Sequence, residues 1–289
     1  MNGGKLVILA GGISSRMKES ASEEIDLRLA EEADAKAKSM IGVGDNYRPF
    51  LDYLLFNARQ TDYEDILIVI GGKDESIRNY YGRKDRDNDF SGLKISYCLQ
   101  KIPHGREKPL GTADALYQGL RYREDWKNKR FTVCNSDNLY SQTALRLLLN
   151  TGYRNAMIDY DRRGLDFDLR RIETFAVTKK DEEGYLTDII EKPSEEEIIS
   201  VTGKEGIIGV SMNIFCLQYD MIMPFLEAVP INEQRKEKEL PQAVKMMIKE
   251  FPKSLYAYPL KEHVPDLTKK EDIVPIQKYL KTHYPDIFF

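Results

Sequence analysis

A short apolar run, Lys5-Leu6-Val7-Ile8-Leu9-Ala10, leads directly into Gly11-Gly12-Ile13-Ser14-Ser15-Arg16-Met17. Glycines just past a strand let the backbone turn tightly and bring its N–H groups up to an anion. Ser14 and Ser15 add hydroxyl donors, and Arg16 offers a planar fork of charged donors suited to phosphate. The spacings of a Walker loop and of a G-x-G-x-x-G fingerprint are both absent, and a plain strand-to-helix turn is the competing reading. Further along, Val133-Cys134-Asn135-Ser136-Asp137-Asn138 is an apolar strand ending in a carboxylate. Hard divalent cations take oxygen ligands, and the carboxyl end of a strand aims such a ligand into the crevice of an α/β sheet. A turn-forming role is the alternative for Asp137.

Other segments carry polar groups at points where a fold must place them. Gln100 precedes Gly105 and then Pro109-Leu110-Gly111-Thr112-Ala113-Asp114-Ala115-Leu116. Gly111 lets a loop pass close to a flat base, and Thr112 is expected to cap the helix that follows. The Gln100 amide both donates and accepts, which suits a pyrimidine edge, although a surface amide is an equal reading. Asp188-Ile189-Ile190-Glu191-Lys192-Pro193 follows a strand. Glu191 is an acceptor and Lys192 a charged donor, unless the two are a routine surface pair. In Gly209-Val210-Ser211-Met212-Asn213-Ile214-Phe215 the apolar neighbours of Asn213 predict burial against a polar partner. The three histidines, His104, His263 and His283, show no catalytic pairing, and no serine has a nucleophile-elbow context.

These segments together resemble the sugar nucleotidyltransferases, the nucleoside-diphosphate-sugar pyrophosphorylases. LAGGISSRM resembles their signature loop, L-x-x-G-G-x-G-[ST]-R-[ML], with Ser14 where that family usually has Gly. The Gly111-Thr112-Ala113 stretch resembles their second nucleotide motif, and Glu191-Lys192-Pro193 their sugar-binding motif. The resemblance spans roughly residues 5–270, with the motifs in the family's order. It implies nucleotide binding by Ala10, Gly11, Gly12, Ser14, Ser15, Arg16, Gln100, Gly105, Gly111 and Thr112, with UTP or dTTP favoured by Gln100. It implies sugar-phosphate binding by Asn135, Glu191, Lys192 and Asn213, and Mg2+ held by Asp137 and a second aspartate.

The second aspartate normally lies in W-x-D-x-G-T; Val264-Pro265-Asp266-Leu267-Thr268 is the nearest match, lacking Trp and Gly, which makes Asp266 the candidate. The activating lysine, usually in a Pro-Lys pair, is read as Lys38, with Lys36 competing. Arg16, Lys38, Asp137 and Lys192 are then the catalytic set, joining a nucleoside triphosphate to a sugar 1-phosphate with release of pyrophosphate. Ser14-Ser15-Arg16-Met17 also resembles the molybdenum-cofactor guanylyltransferases, and a non-catalytic nucleotide sensor is the reading from another class. A glycosyltransferase is disfavoured, because Asp137 is followed by Asn138 and Leu139 instead of completing an Asp-x-Asp motif.

Positioning these groups requires alternating strands and helices. Residues 5–10, 66–70, 94–99 and 131–134 read as buried strands, with helical spacing over 49–60 and 112–121. This predicts an α/β, Rossmann-like, mostly parallel sheet with helices on both faces, which in the resembled family is the GT-A-like nucleotidyltransferase fold. Strands at 154–160, 172–179, 185–191 and 207–217 predict a partly antiparallel sugar-binding region, and 271–282 a short amphipathic helix. The whole is expected to form one domain, with a nucleotide-binding half over 1–150 and a sugar-phosphate half over 151–289. The charged segment 18–38 reads as a solvated helix or mobile loop, or as a flap over bound phosphates.

Apolar residues make up 42% of the 289, enough for a sizeable core. The formal net charge of −4 argues against a nucleic-acid partner. No run approaches the ~18 apolar residues of a membrane span, and the N-terminal run is too short for a signal peptide. Cys98, Cys134 and Cys216 lack metal-ligand spacing and read as reduced core residues. The expectation is a cytoplasmic enzyme whose partners are a nucleoside triphosphate and a small phosphate, with homo-oligomerisation left open.

Overall fold

Apolar, β-branched runs become strands in the computed structural model, which describes residues 3–12, 17, 25–72, 75–285 and 287. The first five are β1 (Gly4–Ala10), β2 (Tyr63–Ile70), β3 (Asn88–Phe90), β4 (Leu93–Leu99) and β5 (Arg130–Asn135). The next five are β6 (Asn155–Asp161), β7 (Val177–Lys180), β8 (Leu186–Ile190), β9 (Gly209–Gln218) and β10 (Leu255–Leu260). Helices α1 (Leu27–Ala35), α2 (Phe50–Arg59), α3 (Ser76–Tyr81), α4 (Thr112–Tyr122) and α5 (Gln142–Leu149) belong to the first half. They are followed by α6 (Leu169–Ile172), α7 (Glu195–Val201), α8 (Tyr219–Ala228), α9 (Leu240–Glu250) and α10 (Ile273–His283).

The chain divides into two compact units. The first holds Met1–Pro109, Asn135–Leu145 and Pro265–Phe289, and the second Leu110–Cys134 and Arg146–Val264. In the first unit β1 and β2 run parallel, with Leu6 beside Ile66 and Ala10 beside Ile70. β4 runs parallel to β2, and the short edge strand β3 antiparallel to β4. Leu6, Val7, Ile8 and residues 66–69 are fully buried, as parallel strands flanked by helices require.

In the second unit β6 pairs in parallel with β10 and antiparallel with β9, and β9 pairs antiparallel with β5. The β7–β8 hairpin joins β9 through Val177 and Val210. The result is a mixed α/β fold whose antiparallel pairing, apart from β3 against β4, lies in the second half, as expected.

Several boundaries differ from the sequence reading. The strand expected over 172–179 begins only at Val177, because Asp168 accepts from Arg171 N (2.9 Å) and starts helix α6 instead. Within the segment 18–38, residues 18–24 lie outside the described residues. Asp26 caps α1 by accepting from Leu29 N (2.9 Å). Buried Glu32 then ties that helix down by accepting from Gly42 N (2.8 Å). Cys98, Cys134 and Cys216 are buried and form no disulfide. No helix among the described residues is long and apolar enough to cross a membrane.

Candidate active site

In the first unit the parallel register brings the end of β1 to the end of β4. Ala10 lies beside Ile70 and Ile70 beside Leu99, so the residues that follow, Gly11 and Gln100, leave the sheet together. Gln100 N donates to Ile70 O (2.9 Å), and its side chain is only 4% exposed. A Cβ on Gly11 would stand 2.7 Å from Gln100 Oε1, so the amide lies directly over the glycine backbone. Gly12 is exposed, with open space around the Cβ it lacks. Gly105 takes φ +81° in an exposed turn, where Arg106 N donates to Pro103 O (3.1 Å). Ser14, Ser15 and Arg16 lie outside the described residues.

Asn135 ends β5, and the chain beyond it is pinned to β1 where Ser136 N donates to Leu9 O (3.1 Å). Asn138 and Asp266 form an antiparallel bridge, flanked by Leu139 N to Pro265 O (2.9 Å) and Leu267 N to Asp137 O (2.8 Å). The two aspartates named from sequence therefore sit on directly paired backbone segments, each half-buried. Thr268 Oγ1 donates to Asp266 Oδ1 (2.7 Å), and Asp272 Oδ2 accepts from both Thr268 N and Lys269 N (2.8 Å each). Those bonds fix the turn despite the missing Gly of the family pattern.

Lys38, at the start of a short 3-10 turn, places Nζ 3.1 Å from Asp137 Oδ2. Lys36 instead pairs with Glu32 Oε1 at 2.9 Å on its own helix face. The geometry thus separates the two competing lysines. The carboxylates of Asp137 and Asp266, on these adjoining segments, are oxygen donors of the kind a hard divalent cation takes. Among the described residues, no group of three or more His, Cys, Asp or Glu side chains gathers at one point.

In the second unit Gly111 takes φ +106° and leads into α4. A Cβ there would stand 2.5 Å from Lys238 O, so its close neighbour in this unit is backbone. Thr112 does not cap its own helix, contrary to the sequence expectation. Gly111 occupies the cap position, and Thr112 Oγ1 accepts from Leu240 N (3.0 Å) at the start of α9. The hydroxyl proton of Thr112 therefore stays available to another acceptor.

Glu191 follows β8, with Arg235 Nη2 3.7 Å from its Oε2. Partial burial raises the Glu191 pKa above the ordinary carboxylate value, and Arg235 opposes the shift. Arg235 also holds Glu239 Oε1 at 2.6 Å, and Lys245 holds Asp188 Oδ1 at 2.8 Å. Sequence reasoning missed both cations, because Arg235 lies in the run Gln234-Arg235-Lys236-Glu237-Lys238, which reads as a solvated face, and Lys245 reads as the polar side of helix α9. Lys192 is exposed at φ +48°. Asn213 takes φ +56° inside a register shift of β9 against β6, half-exposed, with its N–H donating to Ser211 Oγ (3.3 Å). Bulges of this kind re-aim a side chain out of the ladder.

The family model described as nucleotidyl transferase matches residues 5–262. The glucose-1-phosphate adenylyltransferase 1 of Vibrio vulnificus (strain YJ016) is 24% identical over 216 residues, 75% of this chain and 49% of the relative. The glucose-1-phosphate adenylyltransferase of Aliivibrio fischeri (strain MJ11) is 24% identical over 283 residues, 96% of this chain and 65% of the relative. The chain spans about half the length of the Vibrio relative and about two thirds of the Aliivibrio one.

Two solved structures share the fold along almost their whole length. A UDP-glucose pyrophosphorylase complexed with UDP-glucose superposes with a TM-score of 0.68 at 18% identity, covering 97% of this chain and 99% of that one. A UTP-bound UGPase from Acinetobacter baumannii gives 0.70 at 17% identity, covering 98% and 95%. With a family match running from the first strand to the end of the second unit, the chain belongs to the nucleotidyl transferase family.

Proposed function

We propose that this protein transfers a nucleotidyl group from a nucleoside triphosphate to a sugar 1-phosphate and releases pyrophosphate. The observation that carries the reading is the Lys38–Asp137 contact at 3.1 Å, beside the backbone pairing of Asp137's segment with Asp266's. A cation and two carboxylates so arranged suit a triphosphate with its metal. Relatives named glucose-1-phosphate adenylyltransferase support a sugar phosphate as the acceptor.

In this mechanism a phosphate oxygen of the acceptor attacks the α-phosphorus of the triphosphate in line. A phosphorus–oxygen bond forms there, the α–β bridging bond breaks, and pyrophosphate departs with the electron pair. A phosphate dianion is already nucleophilic at neutral pH, so no general base is required. The protein holds two mutually repelling anions together and neutralises charge as it develops. Gly11 and Gly12 offer backbone N–H groups to the phosphates, joined in the family pattern by Ser14, Ser15 and Arg16. Lys38 stabilises triphosphate charge, and the Gln100 amide meets the base, with Gly111 and Thr112 as further nucleotide contacts. Asn135, Glu191 and Asn213 accept or donate to the sugar hydroxyls, and Lys192 holds the attacking phosphate. Asp137 and Asp266 would hold magnesium, which when bound neutralises charge on the triphosphate.

The nucleotide has two readings. The Gln100 amide favours UTP or dTTP, whereas the adenylyltransferase relatives favour ATP. Pyrophosphate release, measured with magnesium for each common triphosphate against a panel of sugar 1-phosphates, decides between them. Release that requires one triphosphate and one sugar phosphate supports the proposal. Binding of nucleotide with no release from any pair points to the sensor reading.

A further inference from the structure

Asp159 on β6 is 2% exposed, yet it is a carboxylate on the sheet of the second unit. Thr178 Oγ1 donates to its Oδ1 and Lys180 Nζ to its Oδ2. Burial raises its pKa, and Lys180 pulls it back. The carboxylate has room to lean towards β7 because residue 209 is glycine; a Cβ there would overlap Asp159 Oδ1 and crowd Thr178 Oγ1. A buried charge with two partners and a glycine cleared for it is expensive to maintain without a purpose in the fold.

The strand register shows where that cluster sits. Asp159 faces Ser211 across β6 and β9, and Ser211 N donates to Ala176 O (2.9 Å). Directly opposed residues share a sheet face, so Asp159 and Ser211 lie on one face of the β6–β9 pair. The Asp159–Ser211 pair is also the last regular one before the shift. Between it and Met157–Phe215, Ile158 alone stands against residues 212–214. Asn213 sits in the middle of that bulge at φ +56°, bonded through its N–H to Ser211 Oγ.

We propose that Asp159 is a positioning residue for the acceptor: clamped by Thr178 and Lys180, it fixes the base of the bulge that presents Asn213. The proposal rests on the assignment of Asn213 to the acceptor site. It assigns Asp159 no contact with substrate. Its effect passes through the Ser211–Asn213 contact.

Two measurements on the full chain test this. In the first, hydrogen exchange is followed at the backbone amides of residues 211–214 in the wild type and in Asp159→Asn. Loss of protection confined to the bulge is expected, and unchanged protection overturns the clamp whether or not any activity is found. In the second, the triphosphate and sugar 1-phosphate that release pyrophosphate are used for kinetics of Asp159→Asn, Asn213→Ala and the double variant. Asp159→Asn is expected to raise the acceptor KM by about tenfold, the scale of one lost positioned hydrogen bond, with the triphosphate KM changed less than about twofold. The double variant is expected to be no worse than Asn213→Ala alone, because residues acting through one another are not additive.

An unchanged acceptor KM, or penalties that multiply, would refute a role through Asn213. Should Asp159→Asn fail to fold, Ser211→Ala removes only the hydroxyl that holds Asn213 N. It is expected to shift the acceptor KM in the same way, and no shift overturns the proposal. Silence across all substrate pairs counts against the proposed function, and the exchange experiment still decides the clamp.

Discussion

Lys38 Nζ lies 3.1 Å from Asp137 Oδ2 although the two residues are 99 positions apart in the chain. The contact joins a short turn after α1 to the loop that follows β5. It exists because Ser136 N is tied to Leu9 O and Leu267 N to Asp137 O. A lysine and an aspartate held in this way suit the polyanion and cation of the proposed reaction.

Asp137→Asn keeps the size of the side chain and removes its charge. Turnover at saturating substrates should fall on the order of 100- to 1,000-fold, the range seen when a preorganised electrostatic group is lost. The half-exposed ion pair contributes at most about 1 kcal/mol, so Tm should move by no more than about 4 °C. Calorimetry beside steady-state kinetics checks both, and near-normal turnover would remove Asp137 from the site.

The two lysines separate cleanly. Lys38→Met should lower turnover by about 100-fold, because it deletes the cation beside Asp137. Lys36→Met deletes only an exposed i,i+4 partner of Glu32 and should leave turnover within about twofold of the wild type. Equal losses in the two variants would contradict the assignment.

Gly11→Ala tests the close approach to Gln100. The added Cβ would stand 2.7 Å from Gln100 Oε1, nearer than carbon and oxygen tolerate, so the amide must move. The triphosphate KM should rise by about tenfold while the acceptor KM changes little, as expected when one positioned amide contact is lost. Competition between triphosphates in one reaction reports whether base preference weakens as well.

A buried carboxylate outside the site gives a pH prediction. Asp52 is fully buried in the first turn of α2. It accepts from Tyr81 Oη at 2.7 Å and Tyr80 Oη at 3.0 Å, with Arg48 at 3.3 Å. Burial raises its folded-state pKa above the unfolded value, opposed by those partners. A carboxyl shifted upwards binds its proton more tightly when folded, so its contribution favours folding at low pH. That contribution is lost as pH rises from the unfolded value of about 3.9 through the raised folded value. In urea titrations at pH 4 and pH 6, Asp52→Asn should gain stability relative to the wild type at the higher pH. A difference independent of pH would contradict the raised pKa.

Much of the fold was legible because its signals are local. The all-apolar run at residues 66–70 reads as a strand buried on both faces, and the Gly11-Gly12 pair marks a turn after β1. The Asp137 carboxylate at a strand end was equally visible. Strand β10 was missed because Tyr256 and Tyr258 alternate with buried Leu255 and Ala257 only over a few residues, and Pro259 then reads as a breaker. Helix α8 carries Pro224 in its interior, which hides it from a periodicity scan.

What no local signal carries is which side chains meet. The choice between Lys36 and Lys38, the bond from Leu240 N to Thr112 and the cluster around Asp159 all depend on residues far apart in sequence. Asn213 was legible as a polar residue in an apolar strand, but its positive φ comes from a register shift that only the pairing of β6 with β9 reveals. Arg235 and Lys245 were hidden for a different reason, since a cation in a charged run or on the polar side of a helix looks the same whether it faces water or a carboxylate.

The most direct test follows the atoms of the transferred group. Triphosphate labelled at the α-phosphorus is incubated with magnesium and the sugar 1-phosphate chosen from the panel, and a parallel reaction carries the label at the γ-phosphorus. Nucleotidyl transfer predicts the α label in a sugar nucleotide and the γ label in pyrophosphate, in equal amounts, with both formed about 100- to 1,000-fold more slowly by Asp137→Asn. The γ label appearing as inorganic phosphate, or the α label staying in free nucleotide, would contradict the account.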